Sequence, residues 1–451
     1  MHPGTLPLAA ALCVGSYALF QRLGVNGLLV VVPLWTLALP LALWAMRAQL
    51  RRHALGVAFL FFTAGYAETL DNVLDVQQRV SFAILLLGAG YLVQQRRRLR
   101  ALEQHRAIVL LALFFAQACA SAALFGSEHT LAIFASRASM GLAVVCATLL
   151  AQSRDGRRLF VGAVTWGVLM SLPLMLRELV DPAQMARPWI EVDDVARAGG
   201  LWAQPNNAGA SFAFVLAFVD AQWLEGALPA RVRWGLFAAA SAGVLATASR
   251  GAFITALAII VGAWVARVRL SVRGPMRFGG ALAVLGLGAL LLQPAGELLA
   301  RAAASGDGLA DFSRLQQVIL ALSGSTDELV DHDSHRLEIA DRAIDLIAKS
   351  PLIGHGTGEF EVIADSRSHV EFLEILGENG LVGGVIYGLL LWVVFRRVSS
   401  LPPRLRYGAY LVGGAWLLTH FDNHNLLEYR YMMLPLGYLC GVSDEESAHV
   451  T

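Results

Sequence analysis

Long apolar runs separated by short polar segments make up most of the chain. A helix needs about 20 mostly apolar residues to cross a bilayer, and such runs recur from residue 6 to residue 443. Backbone polar groups inside a bilayer must be hydrogen-bonded within the protein, so these runs are predicted to form helices. The predicted spans are 6–21, 26–46, 54–69, 79–95, 107–126, 131–152, 158–178, 208–225, 233–249, 251–268, 277–293, 372–395, 406–420 and 428–443.

Composition supports this assignment to the membrane. Of the 451 residues, 56% are hydrophobic and 15% are charged, and the mean hydropathy is +0.58. Soluble domains carry about 25% charged residues. The predicted fold class is therefore an all-α polytopic membrane protein. The first run lacks the basic segment and cleavage site of a removable signal peptide, so we expect it to remain as a helix.

Arginine clusters recur in alternate polar segments between the predicted spans. Because cytoplasmic loops are enriched in Lys and Arg, these clusters predict that both termini are cytoplasmic. The polar segments 179–207 and 247–251 then face outward. The chain is expected to divide into N-terminal transmembrane helices over 1–293, a large outer loop with amphipathic helices over 294–371, and C-terminal transmembrane helices over 372–451.

Cysteines and histidines give no metal signature. The four cysteines lie in apolar runs at unrelated spacings, which is typical of buried thiols. His332, His335 and His355 lack a tight ligand spacing such as HExxH, so no metal is predicted. The stretch GHGTGEF at 354–360 lacks the lysine and hydroxyl residue of a P-loop, which favours a turn. The net charge of +1 says little about partners, but the sequence has no nucleic-acid signature, so no nucleic-acid partner is predicted.

One amphipathic helix is predicted within the outer loop. The stretch DSHRLEIADRAIDLIAK has helical periodicity and should end soon after Lys349, because Pro351 and Gly354 follow. It is expected to lie against the membrane face. Its apolar stripe consists of Leu337, Ala340, Ile344 and Ile347.

The stretch SHVEFLEILGENGLVGG, at 368–384, carries the main catalytic candidate. Ser368 and Glu371 form a capping-box pattern, which predicts a helix with Ser368 as N-cap and His369 in its first turn. The positive end of the helix dipole lowers the pKa of this histidine, and a neutral imidazole is what a general base requires. Glu371, Glu374 and Glu378 share one face, which should line a cavity or meet arginines. A structural role for all of these residues stays equally open.

Three arginines, Arg197, Arg250 and Arg336, lie in segments predicted to face outward. A guanidinium stays charged and matches phosphate oxygens bidentately, so a group of them suits a lipid-linked diphosphate. A salt bridge is the simpler explanation for each one separately, but their placement on one side favours the diphosphate. The polar segment 419–431 either completes a polar cavity or forms a solvated hinge.

These stretches, together with TASRGAF and RAGGLWAQPNNAGA, resemble the O-antigen ligase and O-antigen polymerase superfamily over residues 190–390. The resemblance implies a GT-C-type glycosyltransferase with about 12 transmembrane helices and one large periplasmic loop. It implies a location in the bacterial inner membrane, with the active site facing the periplasm.

For a ligase, the resemblance implies transfer of a glycan from undecaprenyl diphosphate to a sugar hydroxyl of lipid A-core, forming lipopolysaccharide. The expected partners are this lipid-linked O-antigen, lipid A-core and membrane lipids, with no cofactor, metal or nucleotide sugar. The motif histidine falls on His369, and Val370 stands where the family usually has Asn or Ser. By the same resemblance, the remaining site residues are Arg197, Arg250 and Arg336 for the diphosphate, with Glu371 or Glu374 supporting the imidazole.

Other functions remain open at this stage. An O-antigen polymerase or a protein O-oligosaccharyltransferase has the same superfamily features. A lipid-linked glycan flippase or transporter belongs to a different class, which typically has inverted repeats and charges at the membrane midplane. The sequence has no recognisable repeat, and its unusual charges fall at the ends of predicted spans.

Overall fold

In a computed structural model of the chain, every regular element of the described residues is a helix, and these residues contain no strand. This agrees with the all-α fold expected from the sequence. The residues that the structure describes are 53–65, 77–102, 105–125, 130–173, 175, 178, 199–200, 202, 205–247, 249–270, 341–358, 370–422 and 429–443.

Most helices of the described residues begin and end close to a predicted span. An exception is the run 428–443, which holds a short 3₁₀ turn and a helix of 8 residues. The elements are α1 (Ala54–Gly65), α2 (Gln77–Gln94), α3 (Arg96–Leu102), α4 (Arg106–Leu124), α5 (Thr130–Ala151), α6 (Arg154–Leu169), α7 (Pro205–Leu224), α8 (Ala230–Ala246), α9 (Arg250–Leu270), α10 (Glu371–Ser399), α11 (Pro403–Asp422), the 3₁₀ turn (Arg430–Met433) and α12 (Leu434–Gly441).

Four helical stretches of the described chain are long and apolar enough to cross a membrane, which is what a multi-pass membrane protein requires. The predicted spans 6–21, 26–46 and 277–293 lie outside the described residues, so the total of about 12 spans stays a prediction. The four stretches are Arg106–Leu124, Ile133–Ala151, Arg250–Val268 and Glu371–Ser399.

Contacts divide the chain into two compact units. The first contains 1–87 and 158–329, and the second contains 88–157 and 330–451. The three-part division expected from the sequence concerns membrane topology, and it stays a prediction.

The first unit is built around α7, which packs on α8 and α9. This helix begins at Pro205, a residue suited to the first position because its missing N–H would have no helical partner there. Glycines then let the neighbours approach. A Cβ on Gly209 would lie 2.6 Å from the Cβ of Ala252, and one on Gly243 would lie 2.4 Å from the Phe212 ring. Close backbone packing of this kind is typical of membrane helices.

A buried charged cluster joins the same three helices. Asp220 on α7 accepts hydrogen bonds from Arg233 Nε on α8 at 2.5 Å and from Arg267 Nη2 on α9 at 3.1 Å. Trp223 lies beneath both guanidinium groups, at 4.8 and 4.1 Å from its ring centroid. Arginines that the sequence analysis used only as topology markers therefore also hold the helices together.

The second unit contains a close contact between α5 and α12. The stretch GYLCG places Gly437 and Gly441 four residues apart on α12, a spacing that favours tight helix pairs in membranes. A Cβ on Gly437 would lie 2.5 Å from the Cβ of Ala147, and one on Gly441 would lie 2.3 Å from the carbonyl oxygen of Thr148. The Thr148 hydroxyl also donates to the Gly437 carbonyl at 3.2 Å. In the same unit, α4 packs on α5 and α10, and α10 packs on α11.

The ends of α4, α10 and α12 meet at His105, which precedes the first residue of α4. Its Nε2 accepts a hydrogen bond from Arg397 Nη1 at 2.8 Å, and the same guanidinium donates to the Cys440 carbonyl. Burial, followed by the positive charge of Arg397, lowers the pKa of His105 to about 4. The imidazole is therefore neutral at physiological pH, as an acceptor from arginine must be. As predicted for the cysteines, Cys146 and Cys440 are buried free thiols, whereas Cys119 is a free thiol that is only half-buried.

The amphipathic helix of the loop is described from residue 341, and it ends at 349, before Pro351, as expected. Ala343 and Leu346 are buried and pack against Leu373. Ile344, a member of the expected apolar stripe, is 53% exposed. The side that packs on the protein is therefore formed by residues 343 and 346.

Candidate functional site

Helix α10, which carries Glu371 and Glu374, is broken at Gly380. This residue has φ 61° and ψ −166°, a backbone conformation open essentially to glycine. The break divides the helix into a short segment over 371–379 and a long segment over 381–399. It also frees carbonyl and N–H groups on both sides, and such groups need new partners in a membrane protein.

The loop 351–358 supplies those partners. Its N–H groups donate to carbonyls of the short segment, and its carbonyls accept from N–H groups of the long segment. We refer to the loop and residues 377–382 together as the α10 joint. The donor and acceptor pairs are His355 with Gly377 (2.8 Å), Gly356 with Glu378 (3.0 Å), Leu381 with Pro351 (2.8 Å) and Val382 with Leu352 (3.2 Å).

Side chains reinforce the α10 joint. Thr357 Oγ1 donates to Asn379 Oδ1 at 3.0 Å, and the Gly358 N–H donates to Glu378 Oε1 at 2.7 Å. From α4, the Ser121 hydroxyl donates to the Glu378 carbonyl at 3.3 Å. Glu378, one of the three glutamates singled out in the sequence, therefore has a structural contact with the loop.

The glycines of the loop are needed for its backbone. Gly354, Gly356 and Gly358 have φ of 73°, 100° and 86°, and a Cβ on Gly354 would lie 2.3 Å from the Glu378 carbonyl. The turn favoured over a P-loop is thus confirmed. The N–H groups of this turn donate to α10. The glycines therefore allow the backbone of the loop to approach the backbone of the helix closely.

Glu371 and Glu374 lie in the short segment, and both are buried. Their burial is compatible with the expectation that this face lines a cavity or meets arginines, which stays a prediction. The predicted capping box is wrong, because α10 begins at Glu371 with Val370 as N-cap and without a side-chain cap. Val370 has an extended backbone (φ −130°, ψ 107°), which its β-branched side chain favours. The helix therefore starts later than Ser368 would place it.

An aromatic cluster beside the short segment encloses His420, near the end of α11. Its Nδ1–H donates to the Trp416 carbonyl at 2.8 Å, so Nε2 accepts from the Tyr387 hydroxyl at 2.5 Å. Phe372 stacks on the imidazole at 5.0 Å and 27°. Because His420 is fully buried, a solvated hinge is the wrong interpretation for this residue. The helical spacing of Trp416 and His420 is the sequence signal that indicates a shared contact.

In the first unit, Arg250 occupies the first position of α9 and is half-buried. Ser249 caps this helix, since its Oγ accepts the Ala252 N–H at 3.4 Å. A Cβ on Gly209 would lie 2.9 Å from Thr247 Oγ1, so the start of α7 packs directly on this turn. A guanidinium at a helix N-terminus gives a positive region suited to an anion.

Glu178 is a buried residue that the sequence analysis missed. Its Oε2 accepts from the N–H groups of Gly199 and Gly200 at 3.0 and 2.9 Å. Gly200 has φ 58°, a conformation that glycine adopts readily. The carboxylate thereby anchors the backbone two residues after Arg197 in the chain. A lone glutamate at the end of an apolar run gave no sign of this contact.

Three candidates, His369, Arg197 and Arg336, lie outside the described residues. Arg250 and Glu371 belong to different units. The gathering of the histidine and the arginines into one site therefore stays a prediction. Within the described ranges, no group of three or more His, Cys, Asp or Glu side chains is placed to hold a metal ion, and the expected absence of a metal stays a prediction as well.

Comparison with known proteins confirms the resemblance over part of the chain. Residues 235–388 match the protein family described as O-antigen ligase. The chain is also similar to a general O-oligosaccharyltransferase of Acinetobacter baylyi, with 26% identity over 158 residues. That similarity spans 31% of this chain and 28% of the relative. The family match includes every candidate site residue except Arg197.

Proposed function

We propose that this chain, whose residues 235–388 match the O-antigen ligase family, transfers a glycan from undecaprenyl diphosphate to a sugar hydroxyl of lipid A-core. The match carries the proposal, because it includes His369 and the two buried glutamates that follow it. The protein would act in the inner membrane with its site facing the periplasm.

The proposed reaction is a single displacement. His369 removes the proton from the acceptor hydroxyl while the hydroxyl oxygen attacks the anomeric carbon of the donor. The bond from that carbon to the diphosphate oxygen breaks in the same step, so the anomeric configuration inverts and undecaprenyl diphosphate leaves. The bonds formed and broken and the proton transferred in this step balance without a metal ion or a nucleotide sugar.

Charge develops on the leaving diphosphate, and Arg197, Arg250 and Arg336 are proposed to stabilise it. The capped start of α9 supports this role for Arg250, because it fixes the backbone that carries the guanidinium. Glu371 or Glu374 is proposed to orient the imidazole of His369, as a buried carboxylate does for other catalytic histidines. Low polarity around these carboxylates would strengthen such a hydrogen bond.

A protein O-oligosaccharyltransferase is the second candidate. The observation that favours it is the similarity to the Acinetobacter baylyi relative, which is named a general O-oligosaccharyltransferase. The two candidates differ in the acceptor. A ligase uses a sugar hydroxyl of lipid A-core, whereas an enzyme of the second kind uses a hydroxyl on a protein.

The experiment is complementation in a host that makes undecaprenyl-linked O-antigen but lacks its own ligase. Lipopolysaccharide is separated on a gel, and glycoproteins are probed with an antibody against the same glycan. A general base contributes about 100-fold or more to the rate, so His369→Ala should abolish the product. Arg250→Gln should also reduce it, whereas Arg404→Gln, an exposed arginine at the start of α11, should not. Membrane levels of each variant are measured by immunoblot.

The products separate the candidates. Capped lipid A-core that depends on His369 supports the ligase. Glycosylated protein without capped lipid A-core supports the second candidate and overturns the first. Collapse of glycan chain length indicates a polymerase, and failure of the polymer to reach the outer leaflet indicates a transporter. An active His369→Ala variant contradicts the mechanism itself.

A further inference from the structure

A groove of about 320 Å³ lies between α4 and α5 in the second unit. Both helices contain stretches long and apolar enough to cross a membrane, so hydrocarbon is the medium expected around this surface. The lining residues are apolar except for Arg137, and the lining also includes the thiol of Cys119. Residues along it include Ile108, Leu111, Phe115, Cys119, Phe134, Arg137 and Val145.

Arg137 is the unusual member of this lining. It is 8% exposed, and its Nη1 donates to the sulfur of Met140 at 3.8 Å. Its Nε is buried without a hydrogen-bond partner in the part of the chain that the structure describes. A thioether is a weak acceptor, and a buried charge is costly unless an anion or strong acceptors surround it. Among the described residues, the guanidinium therefore has no anion or strong acceptor of the kind that its burial demands.

The shape and polarity of the groove complement those of an amphiphilic ligand. A short connection joins the end of α4 to the start of α5, so the two helices run antiparallel. Cys119 and Phe134 therefore lie toward the connected ends, and Ile108 and Val145 toward the opposite ends. Arg137 is close to the connected ends. The eleven residue steps from Ile108 to Cys119 correspond to about 16 Å of helix. A charged group at one end and an apolar channel along the remainder match a lipid with an anionic head and one chain in the groove.

We propose that this groove binds an anionic phospholipid, with its phosphodiester on Arg137 and one acyl chain along α4. A phosphodiester carries a single negative charge, which one guanidinium balances and can bind bidentately. A diphosphate carries more charge, and Arg137 is the single cation among the lining residues. Charge complementarity thus favours a phospholipid over a polyprenyl diphosphate. This site is separate from the proposed transferase function.

The test uses the full chain purified in a mild detergent. Native mass spectrometry is performed with added palmitoyl-oleoyl phosphatidylglycerol, with the matching phosphatidylcholine, and with undecaprenyl diphosphate. The wild type should retain one phosphatidylglycerol and bind it more tightly than phosphatidylcholine. Arg137→Gln should bind it about tenfold more weakly, as expected for loss of one charge-assisted contact. Arg137→Lys should keep most of the preference.

Two further variants separate binding from folding. Ala116→Phe fills the groove from an exposed position and leaves Arg137 in place, so it should also release the lipid. Arg106→Gln removes an exposed arginine at the start of α4 and should retain it. Three outcomes would each overturn the proposal. They are equal binding of phosphatidylcholine, unchanged phosphatidylglycerol binding in both Arg137→Gln and Ala116→Phe, and tighter binding of undecaprenyl diphosphate than of phosphatidylglycerol.

Discussion

Gly380→Ala is expected to open the α10 joint. An alanine would have to adopt φ 61° and ψ −166°, which costs about 1–3 kcal/mol. Its Cβ would also lie 2.4 Å from the carbonyl of Leu352 and 2.5 Å from the Gly354 nitrogen. Relief requires the loop to move away, which breaks backbone hydrogen bonds worth about 1 kcal/mol each. With loss of two such bonds, those from Leu381 and Val382 to the loop, the total destabilisation of the joint is about 3–5 kcal/mol.

Hydrogen exchange on the detergent-purified protein measures this effect locally. Destabilisation by about 3 kcal/mol should accelerate exchange of the joint amides about 100-fold, and thermal unfolding should occur at least about 5 °C lower. The matched control is Gly388→Ala on the same helix, where a Cβ would meet open space. That change should be neutral or stabilise by up to about 1 kcal/mol. Identical exchange in the two variants would refute the strain argument. The reporting amides are those of His355, Gly356, Leu381 and Val382.

Two further predictions concern buried charge. Asp220→Asn should destabilise the first unit by about 3 kcal/mol, because it removes the charge between Arg233 and Arg267; an unchanged melting temperature would contradict this. The lowered pKa of His105 implies that the unfolded chain binds more protons between pH 6.5 and 4. Thermal stability should therefore fall as the pH decreases through that window. Above pH 6.5, His105 should add nothing to the pH dependence of stability. His105→Gln keeps an acceptor for Arg397 and should reduce that dependence, so equal pH profiles would rule out this origin.

The helices of the described chain were predictable because their causes are local. Apolar runs of membrane length must hydrogen-bond their own backbone, and so α4, α5, α9 and α10 begin within a few residues of the predicted spans. The contacts between helices were harder to predict from the sequence. The GYLCG contact of α12 lies in a run that hydropathy predicts as one span, and the Asp220 cluster joins residues from three helices. Hydropathy carries no information on which helices become neighbours.

The candidate site shows the same limit. Burial of Glu371 and Glu374 followed from the cost of charge in a membrane, and the turn at 354–358 followed from its glycines. Neither pattern indicated that this turn fills a break at Gly380, because the complementary groups are more than twenty residues apart. The start of α10 was misplaced for a different reason. A capping-box pattern was outweighed by the extended backbone of Val370.

The break in α10 resolves the conflict between acidic residues and an apolar span. The whole helix has 29 residues, which would extend about 44 Å, well beyond a hydrocarbon core of about 30 Å. The long segment 381–399 extends about 28 Å and matches that thickness without the glutamates. The short segment can then lie at the interface, where charge costs less than at the bilayer centre. For the proposed reaction, this placement would bring the start of α10 to the depth at which the diphosphate of a lipid-linked donor lies, which an unbroken span starting at the same residue would not require.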